Sequence, residues 1–364
     1  MLTKNNLNIK ELKLMSNAIR ALSMDAVEKA NSGHPGMPLG MSDVATILYK
    51  YFLNFNPENP QWPNRDRFVL SAGHGSMLLY SLLYLTGYKK VTIDQIKQFR
   101  QLKSKTPGHP EYDIECGIET TTGPLGQGLA NSVGMAIAEK HLSSVFGKNL
   151  INHHTYAVAG DGCLMEGISH EAISLAGHLK LNKLIVFFDD NNISIDGPTS
   201  LSTSENHLLR FKACNWDVQK INGHNFKQIY NAIKKAKKTK TPSFIACKTI
   251  IGYGSPNKQG KNLSHGAALG SDEVEKAKKK LNWVHRPFII PKEISKMWKN
   301  IGIKGINENK KWNQTLKNLN KKKKELFNDY LNKKIDKSCF LELKKIKKKL
   351  CASNEEIATR KASN

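Results

Sequence analysis

The chain has 364 residues, with 56 Lys and Arg against 31 Asp and Glu, and a formal net charge of +25. Residues 271–364 alone hold 26 Lys and Arg against 11 Asp and Glu, so most of the net positive charge comes from this Lys-rich region. Surfaces that stack bases interleave Arg with aromatic residues, so this pattern argues against nucleic acid as a partner. The six cysteines form no C-x-x-C pair, and no apolar run is long enough to span a bilayer. These features predict a cytoplasmic protein with no membrane partner.

The first predicted elements are two helices. From Glu11 to Ala30 apolar residues recur at three- and four-residue spacing, which is typical of an amphipathic helix, and Asn31-Ser32-Gly33 ends it. Residues 39–52 predict a second helix after a turn rich in Pro and Gly. The polar, proline-containing stretch 54–64 is predicted to be a loop.

Short apolar runs then alternate with helical stretches. The predicted strands are residues 67–71, 156–159, 184–189, 216–221 and 244–249, and the predicted helices are residues 125–142, 164–179, 205–214 and 226–237. This alternation predicts an α/β fold, a doubly wound parallel sheet with helices on both faces. Ligands of such sheets bind at the carboxyl ends of the strands. Beyond residue 282 the alternation stops, and residues 298–350 are predicted to be a Lys-rich helical linker.

One motif combines Gly160-Asp161-Gly162, after a predicted strand, with Asn191-Asn192-Ile193, after the next strand. Adjacent parallel strands bring both carboxyl ends to one edge, so the Asp161 carboxylate and the Asn191 amide oxygen are expected to reach one ion. Both are hard oxygen ligands, which suit Mg²⁺ together with cofactor phosphates. Gly-Asp-Gly alone also occurs in ordinary turns. Joined to the Asn pair by strand, helix and strand, it resembles the thiamine diphosphate motif.

Further segments, in family order, resemble transketolases. They are Ser32-Gly-His-Pro-Gly36, Ser71-Ala-Gly-His-Gly-Ser76, Thr106-Pro-Gly-His-Pro110, Thr122-Gly-Pro-Leu-Gly-Gln-Gly128, Gly160-Asp-Gly-Cys-Leu-Met-Glu-Gly167 and Ser264-His-Gly266. The resemblance implies a thiamine diphosphate-dependent enzyme of the EC 2.2.1.1 type. Such an enzyme transfers a two-carbon ketol unit from a ketose phosphate to an aldose phosphate in the pentose phosphate pathway.

The resemblance also implies roles for individual residues. The resemblance implies that Asp161, Asn191 and the carbonyl of Ile193 bind a metal ion, which is Mg²⁺ or alternatively Ca²⁺ or Mn²⁺. Thiamine diphosphate binding falls to His74, Gly123, Pro124, Leu125, Gly162, Asn191 and His265. Substrate binding falls to His34, His109, His265 and Arg360, with His34 and His265 also catalytic. The chemistry of the residues is compatible with these roles. Imidazole exchanges protons with hydroxyls, and Leu125 is expected to begin a helix whose dipole favours a nearby phosphate.

The same resemblance divides the chain. Residues 1–285 correspond to the diphosphate-binding domain, residues 286–356 to the linker and residues 357–364 to the start of a truncated pyrimidine-binding domain. A glutamate that such enzymes carry in the pyrimidine-binding domain is absent from the chain, so we expect no activity from the chain alone. The expected partners are sugar phosphates and either a second copy, in a homodimer, or a complementary chain that supplies the pyrimidine-binding domain.

Alternatives remain open at this point. A dihydroxyacetone synthase shares these loops, whereas a deoxyxylulose phosphate synthase or an oxo-acid dehydrogenase matches the Gly-His-Pro-Gly and Ser-His-Gly loops less well. From a different class, the Lys-rich region is compatible with a non-catalytic basic binding protein on a retained enzyme scaffold.

Overall fold

A parallel β-sheet organises the first three hundred residues. The computed structural model describes residues 7–332, 335–353 and 356–362, and it divides into two compact units, Met1–Gln314 and Thr315–Asn364. The strands of the first unit are β1 (Arg67–Leu70), β2 (Thr155–Ala159), β3 (Leu184–Asp190), β4 (Asp217–Asn222) and β5 (Ser243–Lys248). They lie in the order β1-β2-β3-β5-β4 and all pair in parallel. The predicted doubly wound α/β fold is confirmed.

Helices cover both faces of this sheet. Those that begin in the first unit are α1 (Ile9–Ala30), α2 (Gly36–Ile47), α3 (Met77–Thr86), α4 (Ile93–Lys97), α5 (Gln127–Phe146), α6 (Asp161–Met165), α7 (Gly167–His178), α8 (His207–Ala213), α9 (Phe226–Ala236), α10 (Ser271–Lys280) and α11 (Lys292–Lys317). Helices α5, α7 and α8 lie on one face, and α2 and α9 lie on the other. Right-handed crossovers require this division, because the chain moves in opposite directions along the sheet on its way to β4 and back to β5.

Several predicted helices have different boundaries in the structure, and two of these differences concern Leu125 and Asp161. Helix α5 begins at Gln127, because Gly126 precedes it with a φ of 79°, so Leu125 lies in the loop before the helix and does not begin it. The predicted helix 164–179 is instead two helices, α6 and α7. They are separated at Glu166, whose backbone is extended with φ −65° and ψ 139°. The break places Asp161 on a short helix of its own, at the end of β2.

Helix α3 was not predicted from the sequence. Its residues, MLLYSLLYLT, are buried at every position except Tyr84. A helix surrounded by protein carries no apolar and polar faces, so its sequence lacks the 3.6-residue periodicity on which the prediction of helices depends.

Helix α11 packs against the rest of the first unit through two tryptophans and a close glycine contact. Trp298 is fully buried and donates from Nε1 to the carbonyl of Met15 at 3.3 Å, and Trp312 Nε1 donates to the carbonyl of Leu150 at 2.7 Å. A Cβ atom placed on Gly305 would lie 1.5 Å from the carbonyl oxygen of Phe55. The first compact unit therefore extends to Gln314, beyond residue 285, and the assignment of residues 286–356 as a linker stays a prediction.

The second unit is helical and Lys-rich. Its further helices are α12 (Lys321–Leu331), α13 (Lys337–Ser353) and α14 (Thr359–Ala362). Every residue of α13 is exposed, and so is Arg360. No described helix of the protein combines the length and the apolar character that crossing a membrane requires. Of the segment 357–364, residues Ser363 and Asn364 lie outside the described residues, and its interpretation as the start of a further domain stays a prediction.

The adjacent histidines before β2 should make the stability of the fold depend on pH. Burial and the charges of Arg67 and Arg65 lower the pKa of His153 to about 2, and burial and Lys237 lower the pKa of His154 to about 3. In the unfolded chain both rings take up a proton below about pH 6.5, whereas in the fold they stay neutral. We therefore expect the free energy of unfolding to fall by about 1.4 kcal/mol per histidine for each pH unit below 6.5.

Urea denaturation at pH 7.0, 6.5 and 5.5 measures this loss. The matched control is the double variant His153→Gln/His154→Gln, which keeps the other histidines and should lose less stability over the same interval. Equal losses in the two proteins would show that these rings do not cause the pH dependence.

Candidate functional site

A cavity of about 310 Å³ lies at the carboxyl ends of β2 and β3. Loops after six elements of the first unit, α1, β1, α4, β2, β3 and β5, contribute to its wall. The residues that line it are His34, Met37, Ala72, His74, Gly123, Leu125, Gly160, Asp161, Gly162, Cys163, Asp189, Asn191, Ile193, Ser194, Ile195, Ile251 and His265. The structure thus brings together most of the residues that the sequence singled out, at the edge of the sheet where the fold places ligands.

Three of the residues that line this cavity carry oxygen donors. Asp161 is the first residue of α6, directly after β2, and its side chain is 12% exposed. The Asn191 amide oxygen accepts from the backbone N–H of Ile193 at 2.8 Å, so the two residues form one tight loop after β3. Among the described residues, none donates a hydrogen bond to the carbonyl oxygen of Ile193. One carboxylate, one amide oxygen and one free carbonyl form a set of hard donors that fits Mg²⁺ completed by phosphate and water.

Asp189, at the end of β3, orients Asn191. Its carboxylate accepts from the Asn191 amide nitrogen at 2.7 Å and from the hydroxyl of Thr249. Burial raises the pKa of Asp189 to about 7, and the negative charge of Asp161 adds to the shift. The amide nitrogen of Asn191 is held on this carboxylate, so its amide oxygen points away from Asp189.

Glycines bring the backbone close to the cavity on its second side. Gly123 has a φ of 139°, which disfavours any side chain, and a Cβ atom placed there would lie 3.1 Å from the ring of His109. A Cβ atom on Gly162 would lie 3.0 Å from Leu125 Cδ1. The hydroxyl of Thr122 is buried and has no hydrogen-bond partner among the described residues. A loop with exposed backbone and an unused donor is compatible with a bound diphosphate.

Histidines form the third wall. The ring of His34 lies 5.2 Å from that of His74 and 5.7 Å from that of His265, centroid to centroid, and His74 stacks on His265 at 5.1 Å. His109 is exposed and lies farther out, 6.4 Å from His34. The sequence separates these four rings by up to 231 positions, and the fold gathers them beside the oxygen donors.

The inner histidines are uncharged at neutral pH. Burial, with repulsion from His265 and Arg100, lowers the pKa of His34 to about 4, and burial lowers the pKa of His74 to about 3. Burial also lowers the pKa of His265. The Nδ1 atoms of His34 and His265 are buried without a hydrogen-bond partner in the described part of the chain. These rings therefore offer unused nitrogens to a polar ligand, in a part of the cavity without positive charge on the imidazoles.

Some residues predicted for the site do not line the cavity, and some residues that line it were not predicted. Pro124 sits in the loop between Gly123 and Leu125, whereas Arg360 belongs to the second unit, so its predicted role is not tested by this cavity. Met37 and Ile251 also line the cavity and were not predicted from the sequence. Ile251 follows β5, the neighbour of β3, so the rule on carboxyl ends of strands could have found it.

Comparison with known proteins gives consistent matches. The family described as "Transketolase, thiamine diphosphate binding domain" matches residues 12–338. The chain is 52% identical over 349 residues to a transketolase of Sinorhizobium medicae, covering 96% of this chain and 50% of that protein. It is 53% identical over 360 residues to a transketolase of Buchnera aphidicola, covering 96% of this chain and 54% of that protein. The chain thus spans about half the length of the curated relatives that it matches.

Solved structures agree with the sequence matches. A transketolase of Campylobacter jejuni superimposes with a TM-score of 0.86 at 46% identity, covering 89% of this chain and 50% of that one. A transketolase of Pichia stipitis in complex with sedoheptulose 7-phosphate superimposes with a TM-score of 0.82 at 41% identity, covering 88% of this chain and 48% of that one.

Proposed function

The chain belongs to the transketolase family through its thiamine diphosphate-binding domain, and on this basis we propose that it binds thiamine diphosphate through a divalent metal and serves ketol transfer. The reaction is the movement of a two-carbon ketol unit from a ketose phosphate to an aldose phosphate, in the pentose phosphate pathway and in the cytoplasm. One observation carries the proposal. Asp161, Asn191 and Ile193, which offer oxygen donors, line the same cavity as His34, His74 and His265.

In the proposed complex, Asp161, Asn191 and Ile193 would hold Mg²⁺, or Ca²⁺ or Mn²⁺ in its place, and the metal ion would offset the negative charge of the diphosphate. The loop Gly123-Pro124-Leu125 and Gly162 bring backbone groups against the same phosphates. The support is the donor set and the two glycines, at which a side chain would meet His109 or Leu125. His74 and His265 line the remainder of the cofactor position.

Bound thiamine diphosphate would supply the carbon nucleophile and the electron sink of the reaction. The chain's own contribution is to orient the ketose and to move its protons. His34 and His265 are neutral bases with unpaired nitrogens, so each is able to accept a proton from a substrate hydroxyl as the carbon–carbon bond breaks. His109, the outermost of the four histidines, is proposed to bind the substrate. Arg360 is proposed separately to bind the sugar phosphate, because a guanidinium pairs well with a phosphate dianion.

Turnover is proposed to need a pyrimidine-binding domain, supplied by a complementary chain or within a homodimer. The test mixes the chain with Mg²⁺, thiamine diphosphate, a ketose phosphate and an aldose phosphate. The assay is run with and without a separately produced pyrimidine-binding chain of a transketolase. Ketol transfer only after the second chain is added is the expected result. Cofactor binding followed by no transfer in either mixture would contradict a role in this reaction.

Removal of the metal gives a direct test of the cofactor site. We expect saturable binding of thiamine diphosphate in calorimetry with Mg²⁺ present, and a Kd at least about 100-fold weaker after treatment with EDTA. The physical reason is that the diphosphate and Asp161 repel each other unless a dication lies between them. Ca²⁺ or Mn²⁺ should restore the affinity. Equal binding with and without metal would refute the assignment of the three oxygen donors.

A further inference from the structure

Helix α8 lies against the proposed metal loop and begins with a buried histidine. His207 is the first residue of α8, after Asn206, whose side chain caps the helix by accepting from Leu209 N–H at 3.1 Å. The His207 ring packs edge to face on Phe188 of β3, with ring centroids 5.2 Å apart and planes at 87°. Only 7% of the side chain is exposed. The cap and the aromatic contact together fix the position of the imidazole.

One nitrogen of this ring faces the carboxylate of Asp161. The distance from His207 Nε2 to Asp161 Oδ1 is 3.6 Å, slightly longer than a hydrogen bond. Nε2 is also buried and has no hydrogen-bond partner among the described residues. A buried nitrogen of this kind normally has a partner, and the Asp161 carboxylate is the acceptor that the structure places beside it.

The second nitrogen identifies the tautomer. His207 Nδ1 lies 3.3 Å from Arg210 Nη2, and a guanidinium can only donate, so Nδ1 is the acceptor and Nε2 carries the hydrogen. The carboxylate of Glu205 lies 3.5 Å from the same Nδ1. It is engaged by Arg210 Nη1 at 3.0 Å, so the guanidinium offsets its charge.

Arg210 also contacts the backbone of the metal loop. Its Nη2 donates to the carbonyl of Leu164 at 3.0 Å, within α6, the short helix that Asp161 begins. On the solvent side, Arg210 Nη1 lies 2.8 Å from Nε2 of the exposed His170. Helix α8 thus meets α6 at two places, the Asp161 carboxylate by way of His207 and the Leu164 carbonyl by way of Arg210.

We propose that His207 is a positioning residue for the metal site, and that its Nε2–H donates to Asp161 Oδ1 and holds the carboxylate in the orientation that binds the metal. The inference rests on the proposed function of Asp161. Partners of this kind restrict the rotation of a metal-binding side chain, and their loss typically weakens metal affinity by about 10- to 100-fold.

Two substitutions separate the donor from the packing of the ring. The side chain of Gln carries an N–H donor as far out as Nε2, whereas that of Asn reaches only to the position of Nδ1. With thiamine diphosphate present, we expect His207→Asn to raise the Kd for Mg²⁺ by about 10- to 100-fold and His207→Gln to stay within roughly threefold of the unchanged protein, by calorimetry. His170→Asn is the matched control, because it removes a histidine that contacts Arg210 but lies on the surface, and it should leave the Kd unchanged.

A second measurement needs no ligand. In protein labelled with ¹⁵N-histidine, the ring resonances of His207, assigned by their absence in His207→Gln, should show a protonated Nε2 and an unprotonated Nδ1. The opposite tautomer, or equal metal affinities of His207→Asn and His207→Gln, would overturn the inference. If the unchanged protein binds neither Mg²⁺ nor thiamine diphosphate, the proposed function fails, and the tautomer still decides whether His207 donates to Asp161.

Discussion

Replacing Asp161 with Asn should raise the Kd of thiamine diphosphate in the presence of Mg²⁺ at least about 100-fold, which corresponds to about 2.8 kcal/mol. Asp161 is the only charged group among the three proposed donors, since Asn191 and the carbonyl of Ile193 are neutral. The substitution preserves the shape of the side chain and removes the negative charge that opposes the dication. Calorimetric titration at fixed Mg²⁺ measures the effect directly.

The control for this substitution is Asp196→Asn. Asp196 is an exposed acid three residues after Ile193, and it does not line the cavity. The Asp196→Asn variant undergoes the same change of charge without losing a proposed metal contact, so its Kd for thiamine diphosphate should match that of the unchanged protein. If both variants bind the cofactor normally, Asp161 is not a metal ligand. If both weaken equally, the effect comes from net charge and not from coordination.

Replacing Gly305 with Ala should lower the free energy of unfolding by about 3 kcal/mol, the largest stability effect that we expect. The new methyl group would lie 1.5 Å from the carbonyl oxygen of Phe55, which is a backbone atom and cannot rotate away. Helix α11 is also unable to shift freely, because Trp298 and Trp312 each donate to a backbone carbonyl of the first unit. Urea denaturation of the two proteins measures the difference.

Gly134 provides the opposite case. It lies within α5 on an exposed position, and a Cβ atom placed there would meet nothing within 4 Å. Gly134→Ala should therefore stabilise the protein by about 0.5–1 kcal/mol, because Ala loses less backbone entropy in a helix. Similar stability of Gly305→Ala and the unchanged protein would mean that α11 does not pack on Phe55 in solution.

The elements that the sequence could predict are those with an amphipathic period or with a short, bounded apolar run. The amphipathic stretch before Asn31 is α1, and the five short apolar runs are strands whose predicted ends all lie within one residue of the observed ends. Helix α3 was not predicted because it is buried on nearly all sides and its sequence has no amphipathic period. The packing of α11 was not predicted from the sequence for a different reason. Its lysines dominate the composition, whereas its contacts are made by Trp298, Gly305 and Trp312, which are few and far apart.

The site was predictable where residues follow strands. The order of strand, Asp161, strand and Asn191 was enough to place both at one edge of the sheet, because parallel strands end together. The prediction that a helix begins at Leu125 was wrong by two residues. Helix α5 begins at Gln127, because Gly126 before it adopts the left-handed conformation. The contact between His207 and Asp161 joins residues 46 positions apart on different elements. No periodicity in the sequence encodes such a contact, and only the folded structure shows it.

The position of β1 at the edge of the sheet affects how the protein is made. Among the described strands its only neighbour is β2, and the Asp66 carboxylate, beside β1, accepts from the backbone N–H of His154, 88 residues further along the chain. At about 5–20 residues per second, a ribosome needs roughly 4–18 s to add that intervening chain. During this interval the apolar segment Phe68–Leu70 has no strand to pair with. We expect nascent chains arrested before residue 150 to need a chaperone to stay in solution.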